Sequence, residues 1–250
     1  MWCAHPFVQF RQYVQDVGRL HYLTIRGAHA LSHLHNTMQV LYKGSLPPSF
    51  PTEPDEAEAA LENSRQITEL ALGEIASGFP IMHSHALVGL WGALEVCIDD
   101  IAVLTLQNDE TIRSSNQLSR VKVSLMDIES LDQEERMRLL LSEAKRQIQS
   151  DARIGKDEFE AIEDLLSLDG GVESGISRDI LEAQQLRNAL IHRRGIVDRR
   201  VITRCPWLGA NVGDHIVITN QQFSRLTRSM LEYASAVENR VNGKYGAPVA

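Results

Sequence analysis

The sequence predicts a mostly helical protein, and three patterns carry that expectation. Apolar residues recur at three- and four-residue spacing over long stretches, and those stretches are separated by proline or glycine. Runs of β-branched residues are confined to short segments, chiefly the one after Gly195. A chain of 250 residues with 43% apolar and 23% charged residues can bury a core without a disulfide framework or a structural metal.

Taken in order, Phe7, Phe10, Val14, Val17 and Leu20, then Leu31, Leu34, Met38 and Leu41, predict one long helix over residues 6–43. Pro47, Pro48, Pro51 and Pro54 make the next segment a linker. A second helix is expected over 55–77, stopped by Gly78. Pro80 then opens a third, to about residue 107, with the stripe Leu90, Leu94, Cys97, Ile98, Ile101 and Leu104. The small residues Gly89, Gly92 and Ala93 would let a neighbouring helix come close, so this helix is expected to be central. Residues 113–128 are ambiguous, because 120–125 alternates like a short strand. Asp132 and Glu135 form a capping box for a helix over 133–148. A short helix over 156–168 should end at Asp169-Gly170-Gly171. Ser177 reads as the cap of a helix over 178–193, with Gly195 as its stop. The runs Ile196-Val197, Val201-Ile202 and 215–218 read as a small β-hairpin before a last amphipathic helix over 221–241.

Composition excludes several classes. Cys3, Cys97 and Cys205 are far apart and form no CxxC pair, against a zinc ribbon or disulfide scaffold. The most apolar stretch, 81–106, is interrupted by His83, His85, Glu95, Asp99 and Asp100, so no membrane span is expected. The first residues show no secretory signal pattern, and the cytoplasm is the expected compartment. A net charge of −8 is not that of a general nucleic-acid coater. Yet Arg187, Arg193, Arg194, Arg199, Arg200 and Arg204 fall in one short stretch that contains a single acid, Asp198. The expected result is a basic patch on an acidic body.

The phrase Arg187-Asn188-Ala189-Leu190-Ile191-His192-Arg193-Arg194-Gly195 is the best candidate for chemistry. Asn188 and His192 are one helical turn apart, whereas Arg187 is rotated about 140° from His192, so the two could flank a groove. A permanent guanidinium, an amide and an imidazole that titrates near neutrality suit a phosphodiester: arginine holds the oxygens while histidine moves a proton.

The segment resembles the HEPN superfamily. The resemblance rests on RNALIHRRGIVD at residues 187–198, the Cys205-Pro206-Trp207-Leu208 segment, Val212-Gly213-Asp214 with its Ile-rich continuation, and the helix 86–100 with acidic Glu95. It spans roughly residues 80–241. It implies a HEPN-like helical bundle over 79–243; the helices expected over 1–78 form an N-terminal extension that the resemblance does not explain, and residues 244–250 read as a flexible tail. It further implies a homodimer that brings two Arg…His motifs to one cleft, and a metal-independent endoribonuclease of toxin–antitoxin or defence systems. In that family pattern Arg187 binds the scissile phosphate, His192 is the acid or base, and Asn188 orients them. The ribose 2′-OH attacks, so the substrate is RNA. Arg193, Arg194, Arg199 and Arg200 would contact the RNA, and Glu95 would support the site. No cofactor or metal is implied; an antitoxin or defence protein is a further expected partner. A toxin subgroup has tyrosine two places after the motif histidine, where this chain has Arg194, so tyrosine nucleotidylation is not implied.

Other readings stand beside this one. Arg187 could simply pair with a carboxylate such as Glu95, and His192 could favour a helix C-terminus. A non-catalytic module binding RNA, a nucleotide or a protein would keep the same residues. His29, His33 and His35 have partial metal spacing but no acid or thiol nearby, and His83 and His85 read as polar surface. Glu95 and Asp99, one turn apart, could share a cation or neutralise the arginines. Trp91 and Trp207 could stack on bases or pack in the core.

Overall fold

The computed structural model describes residues 5–43, 54–123, 130–151, 158–168 and 170–246. Ten α-helices occur among them: α1 (His5–Leu31), α2 (Leu34–Lys43), α3 (Pro54–Ser77), α4 (Pro80–Asn108), α5 (Glu110–Arg113), α6 (Gln133–Asp151), α7 (Glu158–Leu165), α8 (Ser174–His192), α9 (Arg199–Arg204) and α10 (Asn220–Tyr245). The protein is mostly α-helical. None of these helices is long and apolar enough to cross a membrane.

The chain divides into two compact units. One comprises Met1–Val14, Leu87–Ile216 and Ser224–Ala250; the other comprises Gln15–Ala86 and Val217–Phe223. The larger unit holds the main core. Leu87, Leu90, Trp91, Leu94, Cys97, Ile98, Ile101, Ala102 and Leu106 of α4 are all buried, as the central role expected of this helix requires. Trp91 stacks on Phe159 of α7 with ring centroids 5.0 Å apart, and Phe159 lies 5.7 Å from Tyr233 of α10. Of the two glycines in α4, Gly89 has the close neighbour: a Cβ there would meet the Tyr13 hydroxyl at 2.5 Å. Gly92 faces open space.

In the smaller unit the single long helix expected over 6–43 is broken at Ser32-His33. One hydroxyl makes the break tolerable. Thr68 Oγ1 of α3 donates to the Leu31 carbonyl at 3.2 Å and accepts from the His35 amide at 3.1 Å, satisfying a group on either side of the turn. That partner lies 33 residues downstream of His35, beyond the reach of a local pattern.

Two start signals had different outcomes. The Asp132–Glu135 capping box is present in both directions: Asp132 N–H donates to Glu135 Oε2 at 2.9 Å, and Glu135 N–H to Asp132 Oδ1 at 2.8 Å. Ser177 does not cap α8. The helix starts at Ser174, and the Ser177 amide bonds to the Glu173 carbonyl at 3.1 Å within its first turn.

The small β-hairpin expected before the last helix is also corrected. No strand occurs among the described residues; one isolated antiparallel bridge, Ile196 with His215, stands in its place. Val201-Ile202, read as part of the β excursion, lies in α9, because Asp198 Oδ1 accepts from the Val201 amide at 3.0 Å and starts a helix there. The bridge and the bonds Val197 N–H to Asp214 O and Gly213 N–H to Val197 O, both 2.9 Å, fold the segment back on itself. In the ambiguous stretch, Leu118–Arg120 form a 3₁₀ turn, and Ser124 and Leu125 lie outside the described residues. Helix α10 continues to Tyr245, whose hydroxyl donates to Asp109 Oδ2 at 2.8 Å.

Candidate functional site

The candidate site lies in the larger unit, at the C-terminal end of α8. At 100° per residue, Arg178, Glu182, Gln185, Ala189 and His192 fall within about 80° of one another on one side of this helix. Arg187 points to the other side. Ala189 packs with Val197 and Val201, so the segment after the helix is folded back over the His192 side.

The helix ends through two left-handed residues, Arg194 at φ 56° and Gly195 at φ 75°. The Gly195 amide reaches six residues back to the Ala189 carbonyl at 3.0 Å, one residue beyond the bond of a Schellman turn, and the Arg193 amide bonds to the same carbonyl at 2.9 Å. The stop expected at Gly195 is therefore there, but Arg194, which has a Cβ, carries part of the unusual backbone.

Arg187 runs toward α4. Its Nη2 donates to Glu95 Oε2 and its Nη1 to Asn188 Oδ1, each at 3.0 Å. The two charged side chains keep 24% and 29% of their exposure, so the pair is accessible to water. Arg187 Nε is buried and has no hydrogen-bond partner among the described residues. Asn188 thus accepts from Arg187, and among the described residues no side-chain hydrogen bond joins it to His192 one turn away.

His192 is the last residue of α8 and is exposed, with no hydrogen bond or ion pair among the described residues. No direct contact joins it to Arg187; five residues of helix separate them by about 7.5 Å along the axis. Beyond it, Arg193 lies 3.6 Å from Asp198 Oδ2. Arg194, Arg199 and Arg200 are exposed and make no ion pair among the described residues. Of the six arginines in this stretch, Arg194, Arg199 and Arg200 are thus the exposed ones without an ion pair among the described residues, while Arg187 and Arg193 each lie against a carboxylate and Arg204 is half-buried.

The carboxylates that might have shared a cation are separated by function. Glu95 serves Arg187, and Asp99 accepts from Lys145 Nζ at 2.8 Å. Among the described residues no cluster of three or more His, Cys, Asp or Glu could hold a metal ion. His29 and His33 are exposed, whereas His35 turns to the Leu61 carbonyl and Ser64 hydroxyl. Cys97 and Cys205 are free and buried, and burial pushes both thiols up to about 12, so neither supplies a thiolate near neutral pH.

His83, read from the sequence as surface, is buried, and its Nδ1 lies 3.0 Å from the Ile218 carbonyl. A carbonyl only accepts, so this contact fixes the proton on Nδ1. Trp91 is core. Trp207 is partly exposed and held by a network that the sequence reading missed: its Nε1 donates to Glu182 Oε2 at 2.7 Å. Glu182 is fully buried and also accepts from Arg225 Nη2 at 2.6 Å. The available signal was an acid on the buried side of α8, among Ala183, Leu186 and Ala189.

Comparison with family models, characterised proteins and solved structures finds no match for this chain.

Proposed function

We propose that the chain is a metal-independent endoribonuclease of HEPN type, acting at the C-terminal end of α8. The observation that carries this reading is the grouping of an exposed His192 with the unpaired, exposed Arg194, Arg199 and Arg200 on a chain of net charge −8. Such exposed guanidiniums attract a phosphodiester backbone by charge, and an accessible imidazole beside them in the chain is a side chain that can pass a proton. In the proposed reaction the ribose 2′-oxygen attacks the adjacent phosphorus and the P–O5′ bond breaks. This leaves a 2′,3′-cyclic phosphate and a 5′-hydroxyl. His192 removes the 2′-OH proton or protonates the leaving oxygen, and Arg187 stabilises the charge that grows on the phosphoryl oxygens. A homodimer in which a second copy supplies the complementary Arg187 or His192 belongs to the same proposal, as does control by an antitoxin or defence partner.

A second reading, a non-catalytic RNA-binding module, is favoured by one specific observation: two of the donor nitrogens of Arg187 are already taken by Glu95 and Asn188. Single-stranded RNA incubated with the full chain in EDTA separates the two. Cleavage lost in both Arg187→Ala and His192→Ala supports the nuclease. Intact RNA with a salt-dependent gel shift selects the binding module. Intact RNA and no shift overturns both.

A further inference from the structure

We propose that Trp207 is a stacking platform for one base of single-stranded RNA. The inference rests on the RNA reading above and adds a subsite to it. Trp207 lies in the 3₁₀ turn Pro206–Leu208, directly after the arginine-bearing α9, and remains 36% exposed although Trp is the largest side chain in the segment. A partly open aromatic ring against exposed Arg178, a few residues after exposed Arg199 and Arg200, matches the way sequence-tolerant single-strand binders combine basic side chains with ring faces.

The ring is built into position. The indole N–H is tied to Glu182, and Glu182 is tied in turn to Arg225. Arg225 also pairs with Asp179, whose other oxygen accepts from the Ser229 hydroxyl at 2.7 Å. This chain of charge-assisted bonds anchors the indole edge to α8 and α10. One ring face is covered by the exposed guanidinium of Arg178, 4.6 Å from the ring centroid. A base entering on the opposite face would complete an Arg–Trp–base stack, in which the guanidinium also draws the nearby phosphate.

Position along α8 gives the register. Glu182 and His192 lie on the same side of the helix, ten residues apart, which is about 15 Å of axis. That distance corresponds to roughly four stacked nucleotides at 3.4 Å each. The platform would therefore hold a base a few nucleotides from the linkage that His192 approaches, and fragments shorter than that would not reach both.

The test uses the full chain carrying His192→Ala, so that RNA stays intact, and an oligouridylate of about ten nucleotides, within the usual range of single-strand sites. Dissociation constants are measured against salt for the Trp207→Phe and Trp207→Leu variants. Both lose the bond to Glu182, so their difference reads the aromatic face alone. The expectation is near-parental binding for Trp207→Phe and a loss of roughly 5- to 150-fold for Trp207→Leu, with the salt slope unchanged. Arg199→Ala and Arg200→Ala should each flatten that slope by about 0.7 instead. If Phe and Leu variants bind the longer RNA equally while the arginine variants weaken it, the platform is wrong and the RNA reading stands. If the parent chain binds no RNA, the RNA reading falls and the platform with it.

Discussion

Replacing Glu95 by Gln separates the two fates open to Arg187. Glu95 Oε2 stands 3.0 Å from Arg187 Nη2, and both side chains keep about a quarter of their exposure. Gross attraction between unit charges about 4 Å apart is roughly 4 kcal/mol at an effective dielectric of 20. Desolvation and solvent screening reduce the net value of so accessible a pair to about 1 kcal/mol or less. A glutamine keeps an acceptor oxygen where the carboxylate was, so the geometry is retained and the charge is removed. The expected cost in thermal stability is therefore at most about 2–4 °C for a chain of this size. RNA binding should respond differently, because Arg187 then has a free charge to offer a phosphate. Fluorescence anisotropy of a labelled oligouridylate across a salt series is the assay. Glu95→Gln should bind more tightly at low salt, and its plot of log K against log salt should steepen by about 0.7, one additional phosphate contact on a single strand. Arg187→Ala in the same background should abolish the gain. Superimposable slopes for the parent and Glu95→Gln, together with parental binding by Arg187→Ala, would refute the reasoning and leave Arg187 as a structural ion pair.

Three further outcomes are expected. Glu163 is buried and accepts from both the Tyr233 hydroxyl and Arg240, so Glu163→Leu should cost about 3–5 kcal/mol by leaving Arg240 uncompensated; urea unfolding of Glu163→Leu, Arg240→Met and the double variant should show the double costing well below the sum, and simple additivity would exclude the pairing. Arg194 sits at φ 56°, so Arg194→Gly should stabilise the fold by about 1 kcal/mol while Arg194→Ala does not; equal melting temperatures for the two variants would show that the backbone there carries no strain. His21 and His83 have ring centroids 4.8 Å apart, and burial holds both below the usual histidine value, with their mutual repulsion adding to the effect on His21. The folded state therefore binds fewer protons than the unfolded chain, and this contribution is complete above the unfolded value of about 6.5 and lost as pH falls through and below it. Melting temperature should drop between pH 7.5 and 5.5, and His21→Phe with His83→Gln should flatten that part of the profile; an unchanged profile would remove the pair as the cause.

Much of the helical architecture was legible because its signals are local. Pro80, the Asp132–Glu135 box and Gly195 each act within two turns of the residues they start or stop, and each does so in the structure. The failures came where a distant or merely stronger partner decides. The break between α1 and α2 depends on Thr68, which no window around Ser32 contains. Val201-Ile202 carries the β-branched composition of a strand, but the Asp198 cap in front of it gives a helical start, and the cap prevails over weak propensity. His83 read as surface because its two-residue spacing from His85 suits no shared ligand; its partner is the Ile218 carbonyl, 135 residues away.

The site shows why a motif is read more safely by helical angle than by spacing. Five residues separate Arg187 from His192, close enough in sequence to suggest a shared ligand, yet the helix turns them about 140° apart. Arg187 faces α4, where Glu95 receives it, and His192 stands on the side that also carries Glu182 and Arg178, the residues that hold Trp207. A single copy of α8 therefore presents an imidazole and a guanidinium along one side, where Glu182 also holds Trp207, with Arg187 reaching from the other. A phosphodiester that met both members of the motif would have to lie across the helix end, where the chain turns through Arg194 and Gly195, or be shared with a second copy. The first arrangement makes activity proportional to protein concentration, and the second makes it fall off more steeply on dilution. Mixing Arg187→Ala with His192→Ala chains decides between them: recovery of cleavage in the mixture requires one intact residue from each copy, and no recovery confines the chemistry to one chain.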